Sequence, residues 1–212
     1  MTIEDYISDH IDAEPELLHR LYRHTHLTRL YPRMCSGHIQ GRMLVMLTRM
    51  IRPHRILELG TFTGYSTLCF AEGMPADATI DTVEVDDEFS DELRNLFESS
   101  GYGDRIALHI GDAEEVVAAM PGEEQYDLIF IDANKRRYAE YYRLALPRLA
   151  PGGYILADNT LWGDKVVGGP HTHDAQTEGI LAFNDLVAAD DRVEKVILPI
   201  RDGLTIIRKK VS

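Results

Sequence analysis

The sequence predicts an α/β fold, in which a seven-stranded, mostly parallel sheet has helices on both faces and an antiparallel strand at its C-terminal end. Strand-like and helix-like segments alternate over Arg55–Ala157, a pattern typical of a parallel sheet. The segment Tyr126–Ile131 is apolar without alternation, as in a strand buried on both faces. The last two strands, Val193–Ile200 and Leu204–Arg208, are joined by the turn Arg201-Asp202-Gly203, which predicts a β-hairpin.

Hydrophobic periodicity places the remaining elements. The parallel strands are predicted at Arg55–Leu59, Thr79–Val85, Ile106–Ile110, Tyr126–Ile131 and Tyr154–Ala157. The helices are predicted as two pieces within residues 3–30 and at Gly41–Ile51, Tyr65–Glu72, Asp87–Ser99, Ala113–Met120, Arg136–Leu149 and Asp174–Ala189. In the third helix we expect Met43, Met46 and Met50 to pack in the core.

Length and composition suit one domain with an N-terminal extension. The chain has 212 residues, of which 44% are hydrophobic, and it has no repeat or linker-like tract. We expect one domain over 1–212, with a helical cap at 1–52 and a Rossmann-like core at 53–212.

Charge and cysteine content narrow the possible partners and compartment. The net charge of −13 repels phosphate backbones, so we do not expect a nucleic-acid partner. A local basic patch is still compatible with this total charge. No run of about 18 apolar residues is present, so no membrane span is predicted. The acidic N-terminus and the two cysteines, Cys35 and Cys69, favour a cytoplasmic protein without a disulfide framework.

A glycine turn after the first strand is the first candidate ligand site. The strand ends at Gly60, and Gly64 precedes a helix whose free N–H groups suit a carboxylate. Glu58, near the end of the strand, could receive an amino group of the same ligand. The spacing lacks the G-x-G-x-x-G of a dinucleotide site, and a tight turn without a ligand is an equally weighted alternative.

Acidic residues after the next two strands fit a nucleoside. Glu84 lies near the C-terminal end of the second strand, about 20 residues after the glycine turn, where Rossmann-like folds bind ribose hydroxyls. A solvated acidic loop is the alternative. Asp112 and Ala113 follow the third strand and could hold an adenine, although Asp112 is equally a candidate helix N-cap.

Oxygen-bearing side chains follow two further strands. Asp132 and the pair Asp158-Asn159 come just beyond buried strands, where ligands bind in open α/β sheets. Two carboxylates and an amide suit a hard cation, with Mg²⁺ preferred and Mn²⁺ or Ca²⁺ as alternatives. Polar strand ends that only cap helices remain open as an explanation.

Lys135 and two histidines complete the candidates. A lysine three residues after Asp132, beside a cation and an apolar cleft, suits a general base, although a solvated lysine at a helix start is the alternative. His171 and His173 lie in a glycine–proline loop without the further ligands of a metal site, so we interpret them as loop residues near the cleft.

With these residues assembled, the chain resembles the metal-dependent class I O-methyltransferases of the catechol and caffeoyl-coenzyme A type. The resemblance runs from about Met34 to the C-terminus. It rests on the motifs ELGTFTGYSTL, VEVDDE, GDA, FIDANKRRY, LADNTLWGDKV and DGLTIIRKK, in this order. One departure concerns Gly163, which stands where the plant enzymes carry a substrate-contacting asparagine, so the plant substrate is not carried over.

The resemblance implies roles for individual residues. Those implied to hold S-adenosylmethionine are Ser36, Glu58, Gly60, Thr61, Ser66, Glu84, Ala113 and Asp132. Asp132, Asp158 and Asn159 would bind the divalent metal, Lys135 and Asp132 would be catalytic, and Trp162 would line the substrate pocket.

The resemblance also implies a reaction. The expected reaction transfers a methyl group to a hydroxyl of a catechol-like small molecule, and a homodimer is expected. The alternatives are a tRNA-modifying, hydroxyuridine-type O-methyltransferase of the same fold, a nucleotide-dependent dehydrogenase and a non-catalytic S-adenosylmethionine-binding module.

Overall fold

The computed structural model describes residues 1–122, 125–168 and 174–211. The predicted loop histidines, His171 and His173, lie outside these ranges. No helix in the described ranges is both long enough and apolar enough to cross a membrane.

Seven strands of the described chain form one sheet in the order β3-β2-β1-β4-β5-β7-β6. Their bounds are Arg55–Leu59 (β1), Thr79–Glu84 (β2), Ile106–Ile110 (β3), Tyr126–Ile131 (β4), Leu149–Asp158 (β5), Val193–Leu198 (β6) and Leu204–Lys209 (β7). Strands β1 to β5 pair in parallel, whereas β7 is antiparallel to both β5 and β6. The predicted fold class, with its hairpin at the C-terminal end, is confirmed.

The α-helices of the described ranges lie before the sheet and between its strands. Their bounds are Ile3–Asp9 (α1), Glu16–Thr28 (α2), Gly37–Ile51 (α3), Tyr65–Gly73 (α4), Ser90–Ser99 (α5), Ala113–Ala119 (α6), Tyr138–Arg148 (α7) and Ala175–Ala189 (α8). Two buried hydrophobic clusters sandwich the sheet: one includes residues of α2 to α5, and the other includes residues of α6 to α8. Helices therefore cover both faces, as predicted.

Some element boundaries differ from the prediction for local reasons. Strand β5 begins at Leu149 rather than Tyr154, because its pairing with β4 contains a register irregularity that accommodates Pro151 and two glycines. Helix α7 begins at Tyr138, after a 3₁₀ turn at Lys135–Arg137 that starts where the Asn134 side chain accepts from the Arg136 N–H. Helix α3 starts at Gly37, earlier than predicted.

The prediction that the methionines of α3 pack in the core is wrong for two of the three. Met43 packs against the buried cluster, whereas Met46 is 52% exposed and Met50 is 73% exposed. The core side of α3 instead contains Leu44 and Val45, which are almost fully buried. Met46 and Met50 lie off the face that contains Leu44 and Thr48, so their apolar character did not identify the buried face.

The C-terminal ends of strands β1 and β4 approach each other closely. Gly60 has φ 102°, and a Cβ atom added there would lie 2.1 Å from the carbonyl oxygen of Asp132. The Gly60 N–H donates to the carbonyl of Val83 over 3.0 Å, and the Asp132 N–H donates to the carbonyl of Leu59 over 2.9 Å. Only glycine fits here, because a side chain would strike backbone and would also require an unfavourable φ.

We expect Gly60→Ala to lower the free energy of unfolding by about 2–4 kcal/mol, since it adds both overpacking and backbone strain. Chemical denaturation monitored by circular dichroism measures the change. Gly122→Ala is the matched control, because a Cβ atom at Gly122 meets no described residue within 4 Å. A loss at Gly60 no larger than that of the control would contradict the close-approach argument.

Candidate active site

The candidate site lies where four neighbouring parallel strands end. Leu59 of β1 pairs with Val83 of β2 and with Ile131 of β4, and Ile131 in turn pairs with Ala157 of β5. The residues that follow these partners are Gly60, Glu84, Asp132 and Asp158. The register therefore brings one glycine and three carboxylates from distant parts of the sequence into one row at the edge where open α/β sheets bind ligands.

Glu84 is held firmly at the end of β2. Its Oε2 accepts from the Phe62 N–H over 2.7 Å and its Oε1 accepts from the Asp86 N–H over 3.0 Å. Burial raises the pKa of the Glu84 carboxyl, and these backbone hydrogen bonds oppose that rise. Its position next to the glycine turn suits the predicted ribose contact, which stays a prediction.

Glu58 precedes the glycine turn, and hydroxyl groups surround its carboxyl. Its side chain is fully buried and accepts hydrogen bonds from Ser66 over 2.6 Å, from Thr82 over 2.7 Å and from Thr67. Burial raises the pKa of Glu58 to about 7 despite these donors. The oxygens of Glu58 thus already have partners within the protein, and the predicted contact between Glu58 and the cofactor's amino group stays a prediction.

Thr61, another predicted cofactor residue, contacts one of the hydroxyl groups around Glu58. The Oγ1 atoms of Thr61 and Thr82 lie 2.6 Å apart. Ser66, on the first turn of α4, is both a predicted cofactor residue and a donor to Glu58. The sequence prediction missed Thr67 and Thr82, because a threonine on a buried strand or helix is usually a packing residue.

Helix α4 begins without a side-chain cap. Its N-cap is Gly64, with φ 82°, which provides no capping side chain. The N–H groups of the first turn, including that of Ser66, can donate to a carboxylate and carry the positive end of the helix dipole. This part of the glycine-turn hypothesis has structural support, and binding itself stays a prediction.

Three further residues are predicted to contact the cofactor, namely Asp112, Ala113 and Ser36. Asp112 is the N-cap of α6 and accepts from the Glu114 N–H over 2.9 Å, so the capping role foreseen for it is present. Ala113 is buried at the first turn of that helix. Ser36 is buried immediately before α3. Their predicted contacts with the cofactor stay predictions.

Lys135 connects two of the strand ends. Its ammonium is largely buried and donates to Asp132 Oδ1 over 2.5 Å and to the Tyr138 hydroxyl over 2.7 Å. The Tyr138 hydroxyl donates to the carbonyl of Asp158 over 2.9 Å. The alternative of a solvated lysine at a helix start does not hold.

The sequence prediction missed Tyr138. It is fully buried, and burial together with the charge of Asp132 raises the pKa of its hydroxyl well above the usual value. The spacing in KRRY, which places a tyrosine one turn after Lys135, is the signal that could have found it.

Asp158 is buried beside Asp132. Its Oδ2 accepts from Gln40 Nε2 over 2.7 Å and its Oδ1 accepts from the Asn159 N–H over 2.9 Å. Burial, followed by the negative charge of Asp132, raises the pKa of Asp158. Gln40, on α3, is another residue that the sequence prediction missed.

The oxygen-bearing side chains at these strand ends are of the types that bind a divalent cation. Asp132 and Asp158 repel one another, and Asn159 directly follows Asp158; carboxylate and amide oxygens are ligand types that Mg²⁺ prefers. Within the described ranges, no group of three or more His, Cys, Asp or Glu side chains could hold a metal. The fit therefore depends on the amide and on two carboxylates only, and it leaves room for ligands from a substrate or water.

Trp162 lies in a strained loop after β5. Asn159, Trp162, Gly163 and Asp164 all have positive φ, between 48° and 62°. The partly buried indole packs against the cluster on the α6–α8 side, and its Nε1–H has no acceptor in the described chain. The Trp162 backbone N–H donates to the Asp202 carbonyl over 3.2 Å, which ties this loop to the turn between β6 and β7. The role of Trp162 in a substrate pocket stays a prediction.

Comparison with known proteins agrees with this geometry. The O-methyltransferase family matches residues 7–210. The chain is 34% identical over 188 residues to caffeoyl-CoA O-methyltransferase 2 of Zea mays, covering 83% of this chain and 70% of that protein. It is 32% identical over 185 residues to caffeoyl-CoA O-methyltransferase 1 of Arabidopsis thaliana, covering 83% and 71% of the two chains.

Solved structures agree over almost the whole length. An O-methyltransferase from Bacillus cereus in complex with SAH superimposes with a TM-score of 0.89 at 27% identity, covering 98% of this chain and 97% of that chain. TomG, an O-methyltransferase from Streptomyces achromogenes in complex with SAM, also gives 0.89 at 27% identity, covering 98% and 96%. The chain therefore belongs to the O-methyltransferase family, and the enzyme class predicted from its sequence, an S-adenosylmethionine-dependent O-methyltransferase, is confirmed.

Proposed function

We propose that this enzyme methylates a hydroxyl of a catechol-like small molecule, with assistance from a divalent cation. The observation that carries the proposal is the position of Lys135, which lies against Asp132 at the end of β4 while its partner Tyr138 contacts the end of β5 at Asp158. A base and two carboxylates thus share one edge of the sheet with the glycine turn at Gly60.

The glycine turn and its neighbours would bind S-adenosylmethionine. The open first turn of α4 suits the carboxylate of the cofactor, and Glu84 suits the two ribose hydroxyls. The bound cofactor supplies an electrophilic methyl group. Since that group is already activated, the protein mainly has to orient the acceptor towards it and to stabilise charge.

Asp132, Asp158 and Asn159 would hold the cation. A divalent ion at this place supplies Lewis-acid assistance to the acceptor hydroxyl. Two vicinal hydroxyls suit such a site, because three protein ligands leave about three positions on an octahedral ion. A vicinal diol, which offers two oxygens, therefore suits this site better than a single phenol.

Lys135 would act as the base in its neutral amine form. Its ammonium would first lose a proton to solvent, and the lone pair on Nζ would then take the proton of the acceptor hydroxyl. Its Nζ already lies 2.5 Å from Asp132 Oδ1, so an acceptor hydroxyl bound beside Asp132 would be within hydrogen-bond reach of it. Tyr138 fixes the ammonium from the other side, and its ring lies 4.9 Å from Nζ, centroid to atom. A base held by two partners needs little reorganisation before proton transfer.

The relatives' names support an aromatic acceptor without specifying it. Several are caffeoyl-CoA O-methyltransferases and one is named tricin synthase 2. The tRNA-modifying alternative has less support, because the arginines of the N-terminal region include Arg20, which pairs with Glu16 over 3.6 Å, and Arg29, which pairs with Glu92. The expected homodimer stays a prediction.

Removal of divalent metal should abolish most turnover. We expect EDTA-treated enzyme to release S-adenosylhomocysteine at no more than about a hundredth of the untreated rate, since Lewis-acid assistance contributes several kcal/mol. The assay uses catechol, flavonoid and acyl-coenzyme A phenol acceptors, and Mg²⁺ added in excess should restore the rate. Full activity of EDTA-treated enzyme on a catechol would contradict the metal role, and equal rates on monophenols would contradict the vicinal-diol specificity.

Replacement of Lys135 tests the base directly. We expect Lys135→Met to lower kcat by about 10²- to 10⁴-fold at neutral pH, the usual contribution of a positioned base, and to change KM for S-adenosylmethionine much less. Lys195→Met is the control, because Lys195 donates to the Asp190 carbonyl on the surface at the start of β6. Wild-type kcat in Lys135→Met would rule out the base assignment.

A further inference from the structure

Gln40 joins the candidate metal site to a distant turn. It lies on α3 and is 2% exposed. Its Nε2 donates to Asp158 Oδ2 over 2.7 Å, and its Oε1 accepts from Arg201 Nη1. The two ends of one buried amide therefore contact a proposed cation ligand and a residue of the β6–β7 turn.

Arg201 is tied to the segment before α3 as well as to Gln40. Its guanidinium donates to the carbonyls of Ser36, Cys35 and Arg33, the latter two over 3.4 and 3.3 Å. In the part of the chain that the structure describes, all the acceptors of Arg201 are neutral oxygens. Arg201 also has φ 49°, an uncommon conformation for a residue with a side chain. The backbone of the turn is therefore strained at Arg201, the residue whose side chain contacts the N-terminal segment.

The chemistry of arginine determines which way the amide points. A guanidinium has five N–H donors and no acceptor, so it can contact only the oxygen of the Gln40 amide. The amide nitrogen must then face Asp158, and it can only donate. In the absence of Arg201, only the hydrogen bond to Asp158 would hold the amide in this orientation.

Both oxygens of Asp158 are consequently oriented by donors from the protein. Gln40 holds Oδ2, and the Asn159 N–H holds Oδ1. Each carboxylate oxygen has two lone-pair directions, so one direction on each oxygen stays available for a cation. Hydrogen bonds of this kind to a ligating carboxylate set its orientation and commonly change metal affinity by 10- to 100-fold.

We infer that Gln40, oriented by Arg201, is a positioning residue that aims the Asp158 carboxylate at the bound cation. The inference rests on the proposed metal-assisted function. The contacts of Arg201 also link the C-terminal hairpin and the segment before α3 to this carboxylate, over sequence separations of 161 residues to Gln40 and a further 118 from Gln40 to Asp158.

Manganese binding tests the inference without requiring a substrate. Free Mn²⁺ is measured by electron paramagnetic resonance during titration of the enzyme saturated with S-adenosylhomocysteine. We expect Gln40→Met, which keeps the chain length and removes the donor, to weaken Mn²⁺ binding by about 10-fold or more. Arg201→Gln should weaken it in the same direction but less, because the Gln40 donor is still present.

Thr48→Val is the matched control. Thr48 is fully buried on the same helix and donates to the Leu44 carbonyl over 2.7 Å, within the helix itself. Its replacement by valine removes one buried hydrogen bond, so Mn²⁺ affinity should stay within about twofold of wild type even if the thermal midpoint falls. All titrations are run well below the thermal midpoint of each variant.

The outcomes separate this inference from the proposed function. Unchanged Mn²⁺ affinity in either Gln40→Met or Arg201→Gln, with wild type binding normally, overturns the positioning role and leaves the metal site intact. A lower thermal midpoint with unchanged affinity has the same meaning, because it shows a purely structural role. Failure of wild type to bind Mn²⁺ overturns the proposed metal site and the inference together.

Discussion

The site depends on the contact between the backbone of Gly60 and that of Asp132. A Cβ atom at Gly60 would lie 2.1 Å from the Asp132 carbonyl oxygen, so the ends of β1 and β4 touch directly. This contact brings the glycine turn, which would hold a cofactor, against the strand end that presents Asp132 and Lys135. Methyl transfer needs donor and acceptor in one geometry, and here backbone contact rather than mobile side chains fixes the distance between their sites.

Charge at the strand ends is balanced by specific partners. Asp132 has the Lys135 ammonium, whereas Asp158 has neutral donors, Gln40 and the Asn159 N–H. Burial, followed by the negative charge of Asp132, raises the pKa of Asp158. Glu58 forms a separate buried carboxyl centre, whose hydroxyl donors belong to β2 and α4. The described chain thus has two distinct carboxyl environments, one around Glu58 and one around Asp132 and Asp158.

Much of this arrangement could be predicted from the sequence, because strand–helix alternation and polar residues at strand ends are local patterns. These patterns indicated the sheet, the hairpin and the row of Gly60, Glu84, Asp132 and Asp158. Gln40 and Arg201 could not be found in this way, since their partners lie 118 and more residues away in sequence. The exposure of Met46 and Met50 could not be predicted either. The helical period indicates that one face of α3 is buried, but apolar residues occur on more than one face.

The most direct test of the central claim is the position of a metal ion relative to the two strand ends. Crystals grown with Mn²⁺ and S-adenosylhomocysteine, measured at the manganese absorption edge, locate the ion by its anomalous signal. The account predicts one strong peak within about 2.2 Å of oxygens from Asp132, Asp158 and Asn159, with the cofactor product on the Gly60 side. No peak between Asp132 and Asp158, or a peak held by other residues, would contradict the account.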